Sequence, residues 1–124
     1  MQKREKLIVG NISILSQLES YLSLTNQRET VITSNMANVD TPGYRTKDVD
    51  FQHELSRAMA APEGSTPRAA VQDVRGLLER PDGNNVDIDR EAMKLSEVQL
   101  QYQMGTQLLK GQFQTLMTAI KEDQ

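Results

Sequence analysis

Several residue types are missing or scarce in this chain. Its 124 residues include no cysteine, no tryptophan and a single histidine, and aromatic residues make up only 4%. Without cysteine there is no disulfide framework, thiolate zinc site or cysteine nucleophile. Because only 37% of the residues are apolar and few are large, the chain is poorly equipped to build an independent core. We therefore expect it to bury part of its apolar surface against partners.

Long apolar runs and a net positive charge are also absent. No run approaches the roughly 20 apolar residues that a transmembrane helix needs. The net charge is −3, which argues against binding to nucleic acid or anionic lipid. Three basic residues precede an apolar segment at 7–15, but Asn11 and Ser13 interrupt it. Since no small-residue cleavage site follows, a cleaved signal peptide is not predicted.

The sequence predicts no catalytic, metal or cofactor site. His53 is predicted to be a solvated residue on a helix face, because metal and catalytic sites draw ligands from several segments. The acidic residues at 82–91 resemble a calcium loop only superficially, since Gly83 directly follows the first of them. Helix capping accounts for these carboxylates. We expect no enzymatic activity.

Two long helical patterns flank an irregular middle segment. Apolar residues recur three and four apart over 12–38 and again over 89–121, as in a coiled coil. The first packing stripe comprises Leu15, Leu18, Leu22, Ile32 and Met36, and the second comprises Leu95, Val98, Tyr102, Leu109, Phe113, Leu116 and Ile120. One extra residue between Leu109 and Phe113 predicts a stutter in the second stripe. The predicted fold is a single all-α domain in which the two long helices pack as a hairpin or coiled coil, within one chain or between chains.

The middle segment, 39–88, is predicted to contain one short helix at 52–60 and to be partly disordered, with much of 61–86 mobile in an isolated chain. The second long helix needs an N-cap, for which Asp89 is the preferred candidate and Asp87 the alternative.

Charge is distributed unevenly along the chain. Residues 7–27 contain one charged side chain and residues 92–120 contain three, whereas residues 45–91 contain seventeen. Solvated helices usually carry alternating charges, and burying an unpaired charge is costly. The charge-poor helices are therefore predicted to bury their polar faces as well, within an assembly.

The most specific motif lies at 34–44, where the first helical pattern stops. Pro42 disfavours the α conformation at Thr41, so the helix must end by Asp40. Pro42 and Gly43 suit the central positions of a type II turn, in which Gly43 supplies the positive φ. Tyr44 then leaves the turn as an aromatic anchor with a polar tip.

Two asparagines precede this turn. Asn35 and Asn38 are three residues apart and so share a helix face. We expect them to form hydrogen bonds between helices or between subunits.

Residues 34–45 resemble the N-terminal signature of bacterial flagellar axial proteins, the family of rod, hook and hook-associated subunits. A second run, Asp-Gly-Asn-Asn-Val-Asp-Ile-Asp-Arg-Glu at 82–91, is followed by Leu-Gln-Tyr-Gln at 100–103. Together with Val-Asp-Phe at 49–51, it is similar to the proximal-rod branch of that family. The resemblance covers both ends of the chain and little of 55–80.

The resemblance implies a non-catalytic structural subunit of the periplasmic rod in the flagellar basal body. It implies export through the flagellar type III apparatus without a cleaved signal, helical self-assembly, and torque transmission between the MS ring and the distal rod. The implied partners are a FliE-type adaptor between ring and rod, other rod proteins and further copies of the chain. The motif residues that it marks for assembly are Asn35, Asn38, Asp40, Thr41, Pro42, Gly43 and Tyr44.

Two alternatives stay open. A sibling rod branch of similar length shares the first motif but lacks the second. A soluble helical adaptor or export chaperone would also suit charge-poor helices, and it would form a stable dimer in isolation.

Overall fold

A computed structural model of the protein describes residues 2–122 and is dominated by two long helices. Its elements, in chain order, are α1 Gln2–Ala37, β1 Lys47–Val49, α2 Phe51–Ala60, β2 Val71–Asp73 and α3 Ile88–Lys121. The predicted all-α architecture is confirmed. The first helix begins ten residues earlier than its apolar stripe indicated.

α1 and α3 pack against each other as an antiparallel hairpin within one chain. At one end Asn35 contacts Glu91, and at the other Arg4 donates to the backbone oxygen of Glu122. The end that carries the 34–44 motif is called the motif end. The opposite end, residues 2–18 of α1 and 108–122 of α3, is called the tip. At about 1.5 Å per residue, α1 is roughly 54 Å long.

The α3 interface is an unbroken heptad, which corrects the predicted stutter. Its most buried column is spaced by seven residues and comprises Glu91, Val98, Gly105, Gln112 and Ala119. Leu95, Leu109 and Leu116 lie beside this column and are half-buried. Tyr102, Phe113 and Ile120, which the stripe had included, are 41%, 55% and 42% exposed in the single chain. The prediction followed large apolar residues, whereas the heptad passes through a glycine, an amide and an alanine.

On α1 the first stripe was placed more accurately. Ile32 is buried, and Leu15, Leu18, Leu22 and Met36 are half-buried. The helices approach most closely at Gly105, where an added Cβ would lie 2.8 Å from Leu22 Cδ2 and 3.0 Å from the Tyr21 ring.

The middle segment packs onto the motif half of the hairpin. β1 and β2 form a two-stranded antiparallel sheet with Asp48 opposite Gln72, which the sequence analysis did not predict because each strand has only three residues. α2 docks on α1 through an edge-to-face contact of the Phe51 and Tyr21 rings, whose centroids are 5.4 Å apart. Burial raises the pKa of the Tyr21 phenol.

The chain between α2 and β2 is held by one side chain of α1. Gln27 donates to the Pro67 carbonyl at 2.8 Å and accepts from the Ala69 N–H at 2.8 Å. The predicted mobility of 61–86 stays a prediction, but this part of the segment has a defined attachment. None of the helices described between residues 2 and 122 is both long and apolar enough to cross a membrane.

Candidate functional site

The motif at 34–44 forms the predicted turn. α1 ends at Ala37, Tyr44 N–H donates to the Thr41 carbonyl at 3.2 Å, and Gly43 has a φ of 77°. A positive φ at the third turn residue, following a proline at the second, corresponds to a type II turn and favours glycine. Asp40, Thr41 and Pro42 are exposed on the outside of the turn.

Asn35 is the centre of the site. It is fully buried, and each of its two polar side-chain atoms forms two hydrogen bonds. Its Nδ2 donates to the Lys47 carbonyl at 2.7 Å and to Glu91 Oε2 at 3.0 Å. Its Oδ1 accepts from Tyr44 Oη at 2.9 Å and from the Lys47 N–H at 3.1 Å. One amide therefore joins α1, the turn, β1 and α3.

Glu91 is buried at this centre and has a second partner. Its Oε1 accepts from Arg90 at 2.8 Å, and its side chain is 1% exposed. A buried carboxylate is tolerable only when it is paired and hydrogen-bonded. Asn35 and Arg90 together meet that requirement.

Asn38 plays a local role instead. Its Nδ2 donates to the Ser34 carbonyl at 2.8 Å and its Oδ1 accepts from Thr41 Oγ1 at 3.0 Å. The side chain therefore closes the helix end, and contact with the second motif is made by the Asn38 backbone carbonyl.

The second motif, at 82–91, locks the turn in place. Asn84 is fully buried, and its Nδ2 donates to the carbonyls of Asn38 and Thr41 at 2.9 and 2.8 Å. Its neighbour Asn85 accepts from the Thr46 N–H at 2.6 Å. The two motifs are far apart in sequence, yet they form one hydrogen-bonded unit, which we call the motif knot.

The backbones of the two motifs touch at a pair of glycines. Gly43 N–H donates to the Asp82 carbonyl at 2.9 Å, and a Cβ on Gly83 would lie 3.3 Å from Gly43 Cα. The Arg80 side chain donates hydrogen bonds to the carbonyls of Val39 and Val86. It therefore connects the first motif to the second.

The α3 N-cap is Asp87, not Asp89. The Asp87 carboxylate accepts from the N–H groups of Asp89 and Arg90 at 3.1 and 3.2 Å. The alternative cap is thus confirmed and the preferred one is wrong. Asp89 lies within the first turn, where its charge still favours the helix dipole.

A buried ion pair beside the knot was missed by sequence reasoning. Arg28 is 6% exposed. Its guanidinium donates two hydrogen bonds to the Asp48 carboxylate, at 3.1 and 3.3 Å, and forms an ion pair with Glu97 at 3.6 Å. Burial by itself lowers the pKa of Arg28, but Asp48 and Glu97 more than offset this, so the pKa is raised. The available signal was that Arg28 directly follows a stretch, 7–27, with a single charged side chain. At the surface nearby, the hydrogen bond from Lys47 lowers the pKa of Asp73.

Across residues 2–122 no group of three or more histidine, cysteine or acidic side chains is placed to hold a metal ion. His53 is exposed on α2. The buried polar groups of the motif knot form hydrogen bonds with one another. They therefore fix the conformation of the turn relative to the second motif.

Comparison with known proteins agrees with both motifs. A family model described as flagella basal body rod protein matches residues 18–45. The chain is 34% identical over 121 residues to flagellar basal body rod protein FlgB of Escherichia coli (strain K12), covering 81% of this chain and 87% of that protein. The chain belongs to the FlgB family of flagellar basal body rod proteins. It is also 32% identical to FlgB of Bacillus subtilis (strain 168), with 86% and 92% covered, and 38% identical to FlgB of Cereibacter sphaeroides (strain ATCC 17029), with 81% and 88% covered.

The similarity to FlgB proteins extends over both motifs of the motif knot. The family-model match covers the second half of α1 and the turn, which include the first motif. The FlgB relatives match 81% and 86% of the chain, a share large enough to take in the second motif. A FlgB-family chain is thus a component of the flagellar basal body rod, and its relatives are structural proteins.

Proposed function

We propose that this chain is a structural, non-enzymatic subunit of the proximal rod, exported through the flagellar type III apparatus without a cleaved signal. It assembles helically with copies of itself, with other rod proteins and with a FliE-type adaptor. The resulting periplasmic rod links the MS ring and export gate to the distal rod and transmits torque. The observation that carries the proposal is a hairpin that exposes large apolar side chains and has few charges over residues 7–27 and 92–120.

Apolar side chains remain exposed along the hairpin, most densely towards the tip. On α1 they are Leu7, Val9, Ile12 and Ile14, and on α3 they include Leu100, Met104, Leu108, Phe113, Met117 and Ile120, each at least 40% exposed. Scattered exposed apolar residues are normal, but a contiguous apolar surface marks an interaction site.

Part of this surface forms a second stripe on α3. Met93, Leu100, Met104 and Leu108 follow each other at helical spacing and are 54–63% exposed. They lie away from the Val98–Gly105 column that faces α1, so the hairpin leaves them uncovered. A helix with apolar stripes on two faces is suited to pack against neighbours on both.

A rod needs this arrangement. A contact between two different surfaces of identical subunits, repeated with rotation and rise, generates an open helical assembly. The motif knot gives each subunit a fixed shape, and the charge-poor helices can be buried without stranding ions. The charged middle segment then suits the outer, solvated side.

The proposal is tested by placing charge on the second stripe. The variant Leu100→Glu/Leu108→Glu should fold normally, because both residues are exposed in the single chain. It should fail to restore swarming to a deletion strain and be missing from purified basal bodies, because the charges would be desolvated in the assembly. The control, Ser56→Glu/Gln72→Glu, adds the same charge to exposed positions of the middle segment and should restore motility.

Normal swarming of the stripe variant would contradict the proposal. Sedimentation separates it from the adaptor or chaperone alternative, which requires a stable dimer of the isolated chain that the stripe charges dissociate. The rod subunit is expected to sediment as a monomer or weak oligomer, whether or not the stripe carries the two introduced charges.

A further inference from the structure

A buried amide pair crosses the helix interface near the tip. Asn11 is 5% exposed. Its Nδ2 donates to the Leu7 carbonyl of its own helix at 2.8 Å, and its Oδ1 accepts from Gln112 Nε2 on α3. The Asn11 side chain is therefore hydrogen-bonded from both helices.

This pair occupies positions that apolar or small residues fill elsewhere. One and two heptads further along α1, the equivalent positions are Leu18 and Thr25. On α3, one heptad to either side of Gln112, they are Gly105 and Ala119. A buried polar pair contributes less stability than well-packed apolar residues of similar size, and in coiled coils its attested role is to select partner and register.

Apolar burial alone does not determine which face of α3 meets α1 near the tip. A face of the α3 tip with Phe113, Met117 and Ile120 exposed is as apolar as the face that is used, and α1 offers exposed Leu7 and Ile14 near Asn11. A rotated or shifted α3, from the same chain or from a neighbour, could bury comparable apolar area.

The amide pair does discriminate between these arrangements. A shift by one heptad places Asn11 opposite Gly105 or Ala119, and a rotation of α3 onto its exposed apolar face at the tip places it opposite Phe113. None of these side chains can donate to Asn11 Oδ1. The alternative would bury an unsatisfied acceptor, whose cost is much larger than the gain from making the bond.

We propose that Asn11 and Gln112 form a selectivity element, which makes the tip of α1 accept one face of α3 in one register. The element does not identify the chain that supplies α3. It rejects the other faces and registers that a crowded array of similar helices presents. This inference concerns the hairpin itself and does not depend on the proposed function.

Distance measurements on the full chain test the proposal. Because the chain has no cysteine, nitroxide labels can be placed only at introduced Glu19→Cys and Gln107→Cys, both exposed positions on facing stretches of the hairpin. With Asn11 and Gln112 intact, the label–label distribution should be single and narrow. In Asn11→Leu/Gln112→Leu the melting temperature should not fall, yet the population at other distances should rise roughly tenfold.

Two variants separate selectivity from general packing. The reversed pair, Asn11→Gln/Gln112→Asn, should return the distribution to one narrow peak. A control with Gln17→Leu/Gln103→Leu adds two leucines at exposed positions and should leave the distribution unchanged. A single narrow peak in the double-leucine variant would overturn the proposal, as would a broad distribution in the unaltered pair.

Discussion

The two ends of the hairpin are built on different principles. At the motif end the interior is rich in polar groups that bond one another, including Asn35, Thr46, Asn84 and Glu91, each no more than 1% exposed. At the tip most interface residues are only half-buried, and large apolar side chains face outward. The same pair of helices thus changes from a polar, hydrogen-bonded interior to a thinner, mainly apolar contact in which Asn11 and Gln112 form the buried polar pair.

This difference separates the fixing of shape from the making of contacts. A satisfied buried polar network admits one geometry, because any other strands a donor or acceptor. An apolar surface tolerates many packings and has lower local stability until it is covered. The motif end therefore defines the subunit, and the tip is adapted to bind.

The largest expected effect is at the centre of the knot. Asn35→Ala removes four hydrogen bonds and leaves the buried Glu91 carboxylate short of a donor, so the free energy of unfolding should fall by about 3 kcal/mol. Urea denaturation followed by circular dichroism measures this. Asn38→Ala, on the same helix face, should cost about 1 kcal/mol or less, and equal losses in the two variants would contradict the central role of Asn35.

A pair of glycines compares the middle of the hairpin with its tip. Gly105→Val should destabilise the chain by about 2 kcal/mol, because the new side chain meets Leu22 and Tyr21. Gly111→Ala, where an added Cβ meets nothing within 4 Å, should instead stabilise by roughly 0.5–1 kcal/mol through helix propensity. The melting temperatures of the two variants should shift in opposite directions. A lower melting temperature for Gly111→Ala would contradict the open space beside Gly111.

The turn itself should show a smaller loss. Gly43→Val places a β-branched residue at a φ of 77°, where strain costs about 1 kcal/mol or more. Stability and rod assembly should both be impaired. Wild-type assembly in this variant would contradict the role of the turn in positioning the knot.

The smallest expected effect distinguishes the two candidate caps. Asp87→Ala removes the acceptor for two N–H groups and should cost about 1 kcal/mol. Asp89→Ala removes only a favourable charge in the first turn and should cost a few tenths of a kcal/mol. A larger loss for Asp89→Ala, in the same denaturation assay, would reverse the assignment.

Sequence reasoning reached the helices and the turn because their signals are local. Pro42 and Gly43 constrain their own backbone, and the α1 stripe repeats within a few residues. The knot was beyond reach for the opposite reason. Asn35 and Asn38 look equivalent in the chain, and only the arrival of Lys47, Glu91 and Tyr44 gives Asn35 its four hydrogen bonds.

The errors have a related cause. Large apolar residues led the α3 stripe to Phe113 and Ile120, while the interface follows Gln112 and Ala119. A close helix pair uses small residues and satisfied amides, which a hydrophobic pattern passes over. Arg28 was missed because its counterions, Asp48 and Glu97, come from β1 and α3.

Gln27 gives the middle segment a property that its composition conceals. Its carboxamide offers one donor and one acceptor to Pro67 and Ala69, as the peptide group of a neighbouring strand would. A side chain of α1 thus holds residues 67–69 in place. The conformation of this stretch therefore depends on that helix rather than on its own residues. Loops of quite different sequence could be accommodated there, provided that they present a carbonyl and an N–H at this spacing.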